Sequence, residues 1–450
     1  MASSLPSSNI TSVFCLASNA VSGANNVLLE LTHKLNDLGQ TVQLFSPFAE
    51  ITDNSIGAST LKAESFEAGL QRDHDFMFLT KPFMMPLALR QARKGKTALF
   101  ALDHEPFDDP GIQSALSLPI PIIATSKYVQ HAIGKTCGKE TYYMPLPLDH
   151  DRFRPLDRTQ RPDLIRVLMV GDYLIPLKGM IDGFAAVQKL SLQMNVQLVL
   201  ITQQERQRQL LDQFDYPVEF HHRPKSEEIP SIYNSCDVLL CTSWHENFPL
   251  PPLEAFACGI PVVSTRNFGV NDYAIDGENC LLAETKNSDD LFEKLHRLLT
   301  DKDLANRLVS RALVKSKEYN WQATIDGFLA CQQRIRSLSQ PHPLSENAMQ
   351  RVLSALELSG QYTPDTVRKH CHQLYNALRS VCSAISRDNA RDDRLLDELK
   401  RIRDDLKTYQ AQPGTLYYKS VKRRYDLCQL MIGVWDDAAS LRLSARMGVE

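Results

Sequence analysis

The 450-residue sequence lacks the patterns that mark several protein classes. No apolar run approaches the about 18 residues needed to cross a membrane. The first residues, MASSLPSSNITS, have neither the charged region nor the apolar region of a signal peptide. The formal net charge of -3 argues against a dedicated nucleic-acid binder. We therefore expect a globular protein in the cytoplasm that does not bind nucleic acid.

Paired cysteines and glycine-rich loops are also missing. The ten cysteines form no Cys-x-x-Cys pair, and several, such as Cys15 and Cys241, lie in apolar runs. We expect these to be small core side chains in a reducing compartment. His370-Cys371-His372 has no second pair at zinc spacing, so we predict no metal site. The absence of a Gly-x-Gly-x-x-Gly segment excludes the ordinary dinucleotide-binding loop.

The most informative stretch that is present is HENFPLPPLEAF, residues 245–256. It lies between two short apolar runs that predict buried strands. Glu246 falls in the loop after the first strand. The two adjacent prolines suit the first turn of a helix, and Glu254 falls within the same turn. Open α/β sheets bind ligands at the carboxyl ends of their strands, and helix N-termini favour anions. The two carboxylates predict hydroxyl recognition beside a phosphate site, which suits a sugar nucleotide.

Strands and helices alternate in two series along the chain. One series of apolar strands spans about residues 12–144 and another spans about 165–282. This alternation predicts two α/β domains with parallel sheets. The segment between them, 145–163, is rich in proline and charge and indicates a linker. Its Asp149-His150-Asp151 matches the Asp-x-Asp pattern of metal-dependent transferases, but we reject that role because a linker is no metal site.

Four more candidate positions lie near strand ends. Gly23 lies in a loop before a helix predicted from about Val27 to Leu38, where a missing Cβ would let the backbone approach a phosphate. Lys178 lies at a strand–helix junction beyond Gly171, where it can contact a phosphate. His104 follows a strand; the alternative is a loop histidine bonded to acidic neighbours. Arg223 ends His221-His222-Arg223, which is either a nucleotide-facing loop or a solvated turn.

Residues 339–450 differ in character and predict an α-helical extension. No strand-like run occurs, and leucine and isoleucine recur at heptad-like spacing at 395, 399, 402 and 406. We expect this tail to mediate oligomerisation or to contact a partner enzyme. The segment Tyr417–Tyr425 mixes cations with aromatics, which suits an anionic membrane or a lipid-phosphate acceptor. The alternative is the solvated face of a helical module. We set the domains at 1–150, 151–338 and 339–450.

The segment SWHENFPLPPLEAFACGIPVVST is similar to a known family signature. This segment resembles the donor-binding signature of glycosyltransferase family 4, two glutamates with seven residues between them. Ser22-Gly23, IIATSKYVQHAI, LDHDRFRP, Lys178-Gly179 and Trp321 onward resemble further family segments in the same order, over about residues 10–338. The resemblance implies a GT-B fold, an α/β architecture with two Rossmann-like domains facing across a cleft.

The resemblance also implies an activity. We expect metal-independent transfer of a hexosyl or deoxyhexosyl group, with retention of configuration, from a nucleotide sugar linked to UDP, GDP or dTDP. The acceptor would be a glycan or lipid-linked glycan in bacterial-type surface polysaccharide synthesis, in the cytoplasm or at the inner face of the membrane. No cofactor is expected. The alternatives are a non-catalytic scaffold of a glycan-assembly complex, or another enzyme of this fold such as a sugar phosphorylase or an epimerase.

Residue roles follow from the same resemblance. Glu254 would accept hydrogen bonds from both ribose hydroxyls with two free oxygens, and Glu246 would contact the transferred sugar. Lys178 would neutralise the leaving diphosphate, and His104 would face the donor sugar across the cleft. The predicted catalytic residues are His104, Glu246 and Lys178. The predicted donor-binding residues are Gly23, Gly171, Lys178, Arg223, Phe248, Pro249, Leu250 and Glu254.

Two positions depart from the family pattern. Asp172 stands where the family usually has arginine, so half of the usual cation pair is missing. Pro249 replaces a common glycine and removes one potential N–H donor. Arg223 and Arg266 are the candidates to supply the missing positive charge.

Overall fold

The fold is built on two parallel β-sheets, each with helices packed against it. The computed structural model describes part of the chain, and every structural statement below concerns that part. The described ranges are 10–16, 23–46, 60–62, 69–70, 73–90, 94–102, 109–157, 163–173, 175–203 and 214–358, with the single positions 397, 400, 401 and 404.

The first sheet has seven strands in the order β3-β2-β1-β4-β5-β6-β7. They are β1 Thr11–Cys15, β2 Thr41–Ser46, β3 Thr60–Lys62, β4 Phe76–Leu79, β5 Lys96–Ala101, β6 Ile122–Ala124 and β7 Tyr142–Tyr143. Its helices are α1 Gly23–Asp37, α2 Met84–Ala88, α3 Pro110–Leu116 and α4 Lys127–Cys137. All strand pairs are parallel, with β1 between β2 and β4 in the centre.

The second sheet has six strands in the order β10-β9-β8-β11-β12-β13. They are β8 Ile165–Val170, β9 Val196–Thr202, β10 Val218–His222, β11 Val238–Cys241, β12 Val262–Thr265 and β13 Leu281–Ala283. Its helices are α5 Met180–Ser191, α6 Ile229–Asn234, α7 Leu250–Ala257, α8 Ser288–Thr300 and α9 Lys302–Ser316. The neighbours β8 and β11 lie at the centre, so the loops that follow them meet at one sheet edge.

The two α/β units predicted from the alternating pattern are present. The sequence interpretation missed the three-residue β3 and the helix α3, although α3 has a clear start signal. Asp109 caps it by accepting a hydrogen bond from the Ile112 amide at 3.0 Å, and Pro110 occupies the first turn. The predicted helix from Gln204 to Phe214 falls largely on residues 204–213, which lie outside the described part of the chain.

Helix α10 (Trp321–Ser337) returns the chain to the first sheet. Phe328 is fully buried, and its ring lies 5.1 Å from that of Phe78 and 5.8 Å from that of Phe14. The Thr324 hydroxyl donates to the Pro145 carbonyl at 2.9 Å. Burial of a phenylalanine of this size gives roughly 1.5–3 kcal/mol of stabilisation, which fastens the second unit to the first.

Helix α11 (Glu346–Leu358) also packs on the first unit, against α3 and α2. Met349, Leu353 and Leu356 are buried in one apolar cluster with Ile112, and the Leu344 amide donates to the Leu89 carbonyl at 2.8 Å. The apolar side of the tail's first helix is therefore used within the chain. The heptad-spaced positions at 395, 399, 402 and 406, and the segment Tyr417–Tyr425, lie outside the described residues, so the oligomerisation and membrane roles stay predictions.

Within the described ranges, no helix combines the length and apolarity that a membrane crossing requires.

We expect Leu356→Ala to lower the free energy of unfolding by about 2–5 kcal/mol, because it leaves a cavity between α11 and α3. Urea denaturation measures the change. Leu338→Ala is the control, since Leu338 is 37% exposed and its loss is expected to change the free energy by under about 1 kcal/mol. Equal small effects of both substitutions would contradict the packing of α11 on this unit.

Candidate active site

The central feature of the site is an ion pair between two neighbouring strand ends. Lys178 ends a short 3-10 turn after β8, and Glu246 lies in the loop after β11. Lys178 Nζ lies 2.7 Å from Glu246 Oε1, and the Ser243 hydroxyl donates to the same oxygen at 2.7 Å. Two predicted catalytic residues are thus brought together, while Glu246 is held on two sides.

The charge of Lys178 is well defined by its surroundings. Burial by itself lowers the pKa of Lys178, but the charge and hydrogen bond of Glu246, with smaller contributions that include Asp172, outweigh it and leave the pKa above its ordinary value. Lys178 therefore carries a full positive charge at neutral pH. Two carboxylates act on this one ammonium, so the site as it stands already neutralises its cation.

The backbone around Lys178 is packed too tightly to shift. Gly179 has a φ of 56°, and a Cβ there would lie 2.2 Å from the Thr242 carbonyl oxygen. The Thr242 hydroxyl donates to the Lys178 carbonyl at 2.9 Å. Trp244 Nε1 donates to Asp182 at 2.6 Å and closes the other side. Only glycine fits at 179, which explains the Lys-Gly pair. Gly171 lies beside the lysine, since a Cβ added at position 171 would lie 3.8 Å from the Cβ of Lys178.

Glu254 lies just beyond the first turn of its helix, whereas the sequence predicted it within that turn. Helix α7 begins at Leu250, so its two prolines do fall in the first turn, but Glu254 is the fifth residue. The expectation of two free carboxylate oxygens is also wrong for Oε2, which accepts a hydrogen bond from the Tyr233 hydroxyl at 2.6 Å. Burial raises the pKa of Glu254 to about 6, while Tyr233 and, less strongly, Arg152 lower it.

The segment before α7 is fixed by aromatic packing. Phe248 is buried and its ring contacts those of Tyr273 and Tyr319 at 5.2 and 5.4 Å. The Tyr273 hydroxyl donates to the Pro249 carbonyl. The Phe248 side chain is therefore structural, and any donor contact of Phe248 has to come from its backbone. The donor-binding roles of Pro249 and Leu250 stay predictions.

The two arginines considered as substitutes for the missing cation have other partners in this structure. Arg223 is exposed and follows the edge strand β10, two strands from β8, and its Nε donates to the Gln203 carbonyl at 3.2 Å. Its role as a donor-binding residue stays a prediction. Arg266 forms ion pairs with Asp276 at 2.7 Å and Glu284 at 3.1 Å.

Two predicted positions belong to the first unit. Gly23 is the first residue of α1, which therefore begins about four residues before the predicted start near Val27, and the role of Gly23 in donor binding stays a prediction. His104 lies in residues 103–108, outside the described part of the chain, and its role stays a prediction.

A further residue joins the two units at the site, and the sequence interpretation missed it. Asp272 lies in the 3-10 turn Gly269–Asp272 after β12, and its carboxylate accepts from the Lys127 amide at 2.7 Å and the Tyr128 amide at 3.3 Å. These amides begin α4 in the first unit. A carboxylate at a helix N-terminus is favoured by both hydrogen bonds and the helix dipole. No local motif signals this contact, because its partners are about 145 residues apart in the sequence.

Tyr233→Phe is expected to raise the pKa of Glu254 above its value of about 6, because the substitution removes a hydrogen bond that favours the charged carboxylate. NMR titration of isotope-labelled glutamate carboxyl carbons measures this shift. Tyr216→Phe is the control, since the Tyr216 hydroxyl donates to the Phe184 carbonyl instead. An unchanged or lower Glu254 pKa in Tyr233→Phe would contradict the hydrogen bond.

Parts of this chain are similar to known proteins. Residues 158–314 match the family model described as Glycosyl transferases group 1. A stretch of 110 residues is 34% identical to an uncharacterized glycosyltransferase of Methanocaldococcus jannaschii, and covers 24% of this chain and 31% of that protein. The match therefore spans less than a third of that relative's length.

Solved structures resemble a much larger part of the chain. The sucrose-phosphate synthase of Thermosynechococcus elongatus has a TM-score of 0.64 at 18% identity, over 73% of this chain and all of that one. The Anabaena protein HepE, in complex with UDP-glucose, has a TM-score of 0.59 at 16% identity, over 73% of this chain and all of its own. The expected GT-B fold is thus confirmed. The second α/β unit is similar to the glycosyl transferases group 1 over residues 158–314, and the chain has the GT-B fold of these enzymes.

Proposed function

We propose that this protein is a nucleotide-sugar-dependent glycosyltransferase that builds a polysaccharide or other glycoconjugate with retention of configuration. The observation that carries the proposal is the joint position of Lys178 and Glu246, 2.7 Å apart, at the central strand ends of a group 1 domain. A cation for the diphosphate and a carboxylate for the sugar lie within one sugar-phosphate length of each other.

The ion pair has a consequence for how a donor would bind. Lys178 contacts Glu246 in this structure, so a diphosphate that binds Lys178 would compete with Glu246 for the ammonium. This exchange would release Glu246 Oε1 to accept a hydrogen bond from a hydroxyl of the transferred sugar. Lys178 would then stabilise the negative charge that grows on the leaving diphosphate, which is commonly a large part of catalysis.

Glu254 suits recognition of the ribose. Its carboxylate is ionised above a pKa of about 6, and the Tyr233 hydrogen bond fixes its orientation. A fixed, ionised carboxylate can accept hydrogen bonds from two neighbouring hydroxyls. The UDP-glucose complex of HepE supports a nucleotide sugar of this general kind as the donor here.

A non-catalytic scaffold is the second candidate, and Asp172 is the observation that favours it. Its carboxylate acts on Lys178 where the family usually has a second cation. Calorimetry with UDP, GDP and dTDP separates the two candidates, because a scaffold that has lost its donor site would bind none of them.

We expect Lys178→Ala to lower kcat/KM for sugar transfer by about a hundredfold or more, because the leaving diphosphate loses its cation. Transfer is measured with a panel of UDP-, GDP- and dTDP-sugars. Lys189→Ala is the matched control: Lys189 pairs with Asp289 on the surface of the same domain, and its loss is expected to leave transfer unchanged. Full activity of Lys178→Ala would contradict the site.

The donor KM is expected to rise as the pH falls through about 6, because a protonated Glu254 accepts hydrogen bonds poorly. The folded-state pKa of Glu254 lies above its unfolded value, so protonation of this group stabilises the fold and the stability it gives is lost as pH rises through about 6. Protonation of Glu254 therefore does not unfold the protein, and a loss of donor affinity at pH 5 cannot be caused by unfolding through this group.

Donor chemistry supplies the control for this pH effect. A UDP-sugar offers two ribose hydroxyls and a dTDP-sugar only one, so the rise in KM is expected to be larger for the UDP-sugar. Glu254→Gln is expected to remove the pH dependence near 6. The same pH profile in Glu254→Gln as in the unaltered protein would overturn the ribose role of Glu254.

A further inference from the structure

Three aromatic rings from both units meet beside Glu246. Tyr128 comes from the first turn of α4, and His245 and Phe268 come from the loops after β11 and β12. The Tyr128 and Phe268 rings are stacked with centroids 5.3 Å apart, and His245 lies 4.8 Å from Phe268. The Tyr128 hydroxyl lies 3.1 Å from His245 Nε2. We call these three residues the aromatic platform.

Phe268 is displayed to solvent by an unfavourable backbone conformation. Its side chain is 47% exposed, and it has φ 70° and ψ -68°. The Gly269 amide donates to the Asn267 carbonyl at 3.0 Å, so Phe268 is the central residue of a strained γ-turn. A positive φ is unfavourable for a bulky residue, and such strain concentrates at functional sites.

The ring is fixed relative to Glu246 by backbone contacts. The Glu246 amide donates to the Asn267 carbonyl at 2.9 Å, and the Gly269 amide donates back to the Glu246 carbonyl at 3.0 Å. Gly269 permits this approach, since a Cβ there would lie 2.2 Å from the Asn247 carbonyl oxygen. A shift of the platform would therefore displace Glu246 as well.

The platform lies on the side of Glu246 away from the phosphate site. The strands run β8, β11, β12 across the sheet, and Lys178, Glu246 and Phe268 follow them in that order. A donor whose phosphates contact Lys178 and whose sugar contacts Glu246 leaves the Phe268 side to a second molecule. Tyr128 and the Asp272 contact place this side between the two units.

We propose that the aromatic platform binds a pyranose ring of the acceptor, with the apolar C–H face of the sugar against Phe268. This inference rests on the proposed function. An exposed aromatic face offers a large apolar contact of defined geometry, and the polar atoms of Tyr128 and His245 at its border suit sugar hydroxyls. Ligand sites combine apolar rings with a few placed polar groups in this way.

The experiment uses the full-length protein and three substitutions. Phe268→Gly removes the ring and suits the positive φ, so this variant is expected to fold at least as well as the unaltered protein. Phe268→Trp keeps an aromatic face, and Phe268→Leu keeps apolar bulk without a ring. The binding probe is methyl β-D-glucopyranoside, whose ring has two apolar faces, with glycerol as the polyol without a ring.

Saturation-transfer NMR in the presence of UDP measures probe binding. We expect saturation of the C–H ring protons of the glucoside in the unaltered protein and in Phe268→Trp, and its loss in Phe268→Gly and Phe268→Leu. Glycerol is expected to receive none. Absence of saturation in the unaltered protein, or equal saturation in Phe268→Gly, would overturn the platform.

Kinetics with the sugar nucleotide that supports transfer in the UDP-, GDP- and dTDP-sugar panel separate the acceptor from the donor. In Phe268→Gly we expect the acceptor KM for the glucoside to rise about tenfold, while the donor KM changes much less. A rise in the donor KM alone would assign the platform to the donor sugar and overturn the proposal. If the unaltered protein neither hydrolyses nor transfers any sugar of the panel, the proposed function fails, whereas ring-proton saturation lost in Phe268→Gly would still support sugar binding.

Discussion

The rest of the site depends on one constraint, the ion pair of Lys178 with Glu246 between adjacent strands of the second sheet. Both side chains are partly shielded from water, where an unpaired charge is costly, so each partner stabilises the charge of the other. Gly179 and Ser243 hold the two side chains where they are. The same two side chains suit the diphosphate and the sugar of a donor. The two side chains that form the ion pair in this structure are therefore the ones that would bind the donor.

Much of this arrangement could be predicted from the sequence because it depends on local patterns. Short apolar runs fixed the strands, and a parallel order brought Glu246 and Lys178 to one edge. The predicted position of Glu254 in its helix differs by about one residue, since adjacent prolines do not reveal whether a helix begins before them or at them; it begins at Leu250. The Tyr233 hydroxyl donates to one Glu254 oxygen, and the two residues are 21 positions apart in the sequence, a spacing that matches no motif.

The contacts between units escaped prediction for a related reason. Asp272 and the first turn of α4 carry no motif of their own, and only the folded chain brings them together. The tail shows the converse case. The heptad-like spacing at 395, 399, 402 and 406 predicts an association that stays a prediction, whereas the nearer helix α11 buries its apolar side against α3 in the same chain. Amphipathic spacing indicates that a partner exists without identifying it.

The Asp272 contact makes the relative position of the two units depend on the end of a helix. Ser126 caps α4 by accepting from the Val129 amide, and Asp272 accepts from the Lys127 and Tyr128 amides beside it. A carboxylate at a helix N-terminus typically gains about 0.3–1 kcal/mol from the helix dipole. A displacement of one unit against the other would forfeit this stabilisation, so the N-terminus of α4 favours the arrangement of the two units in this structure.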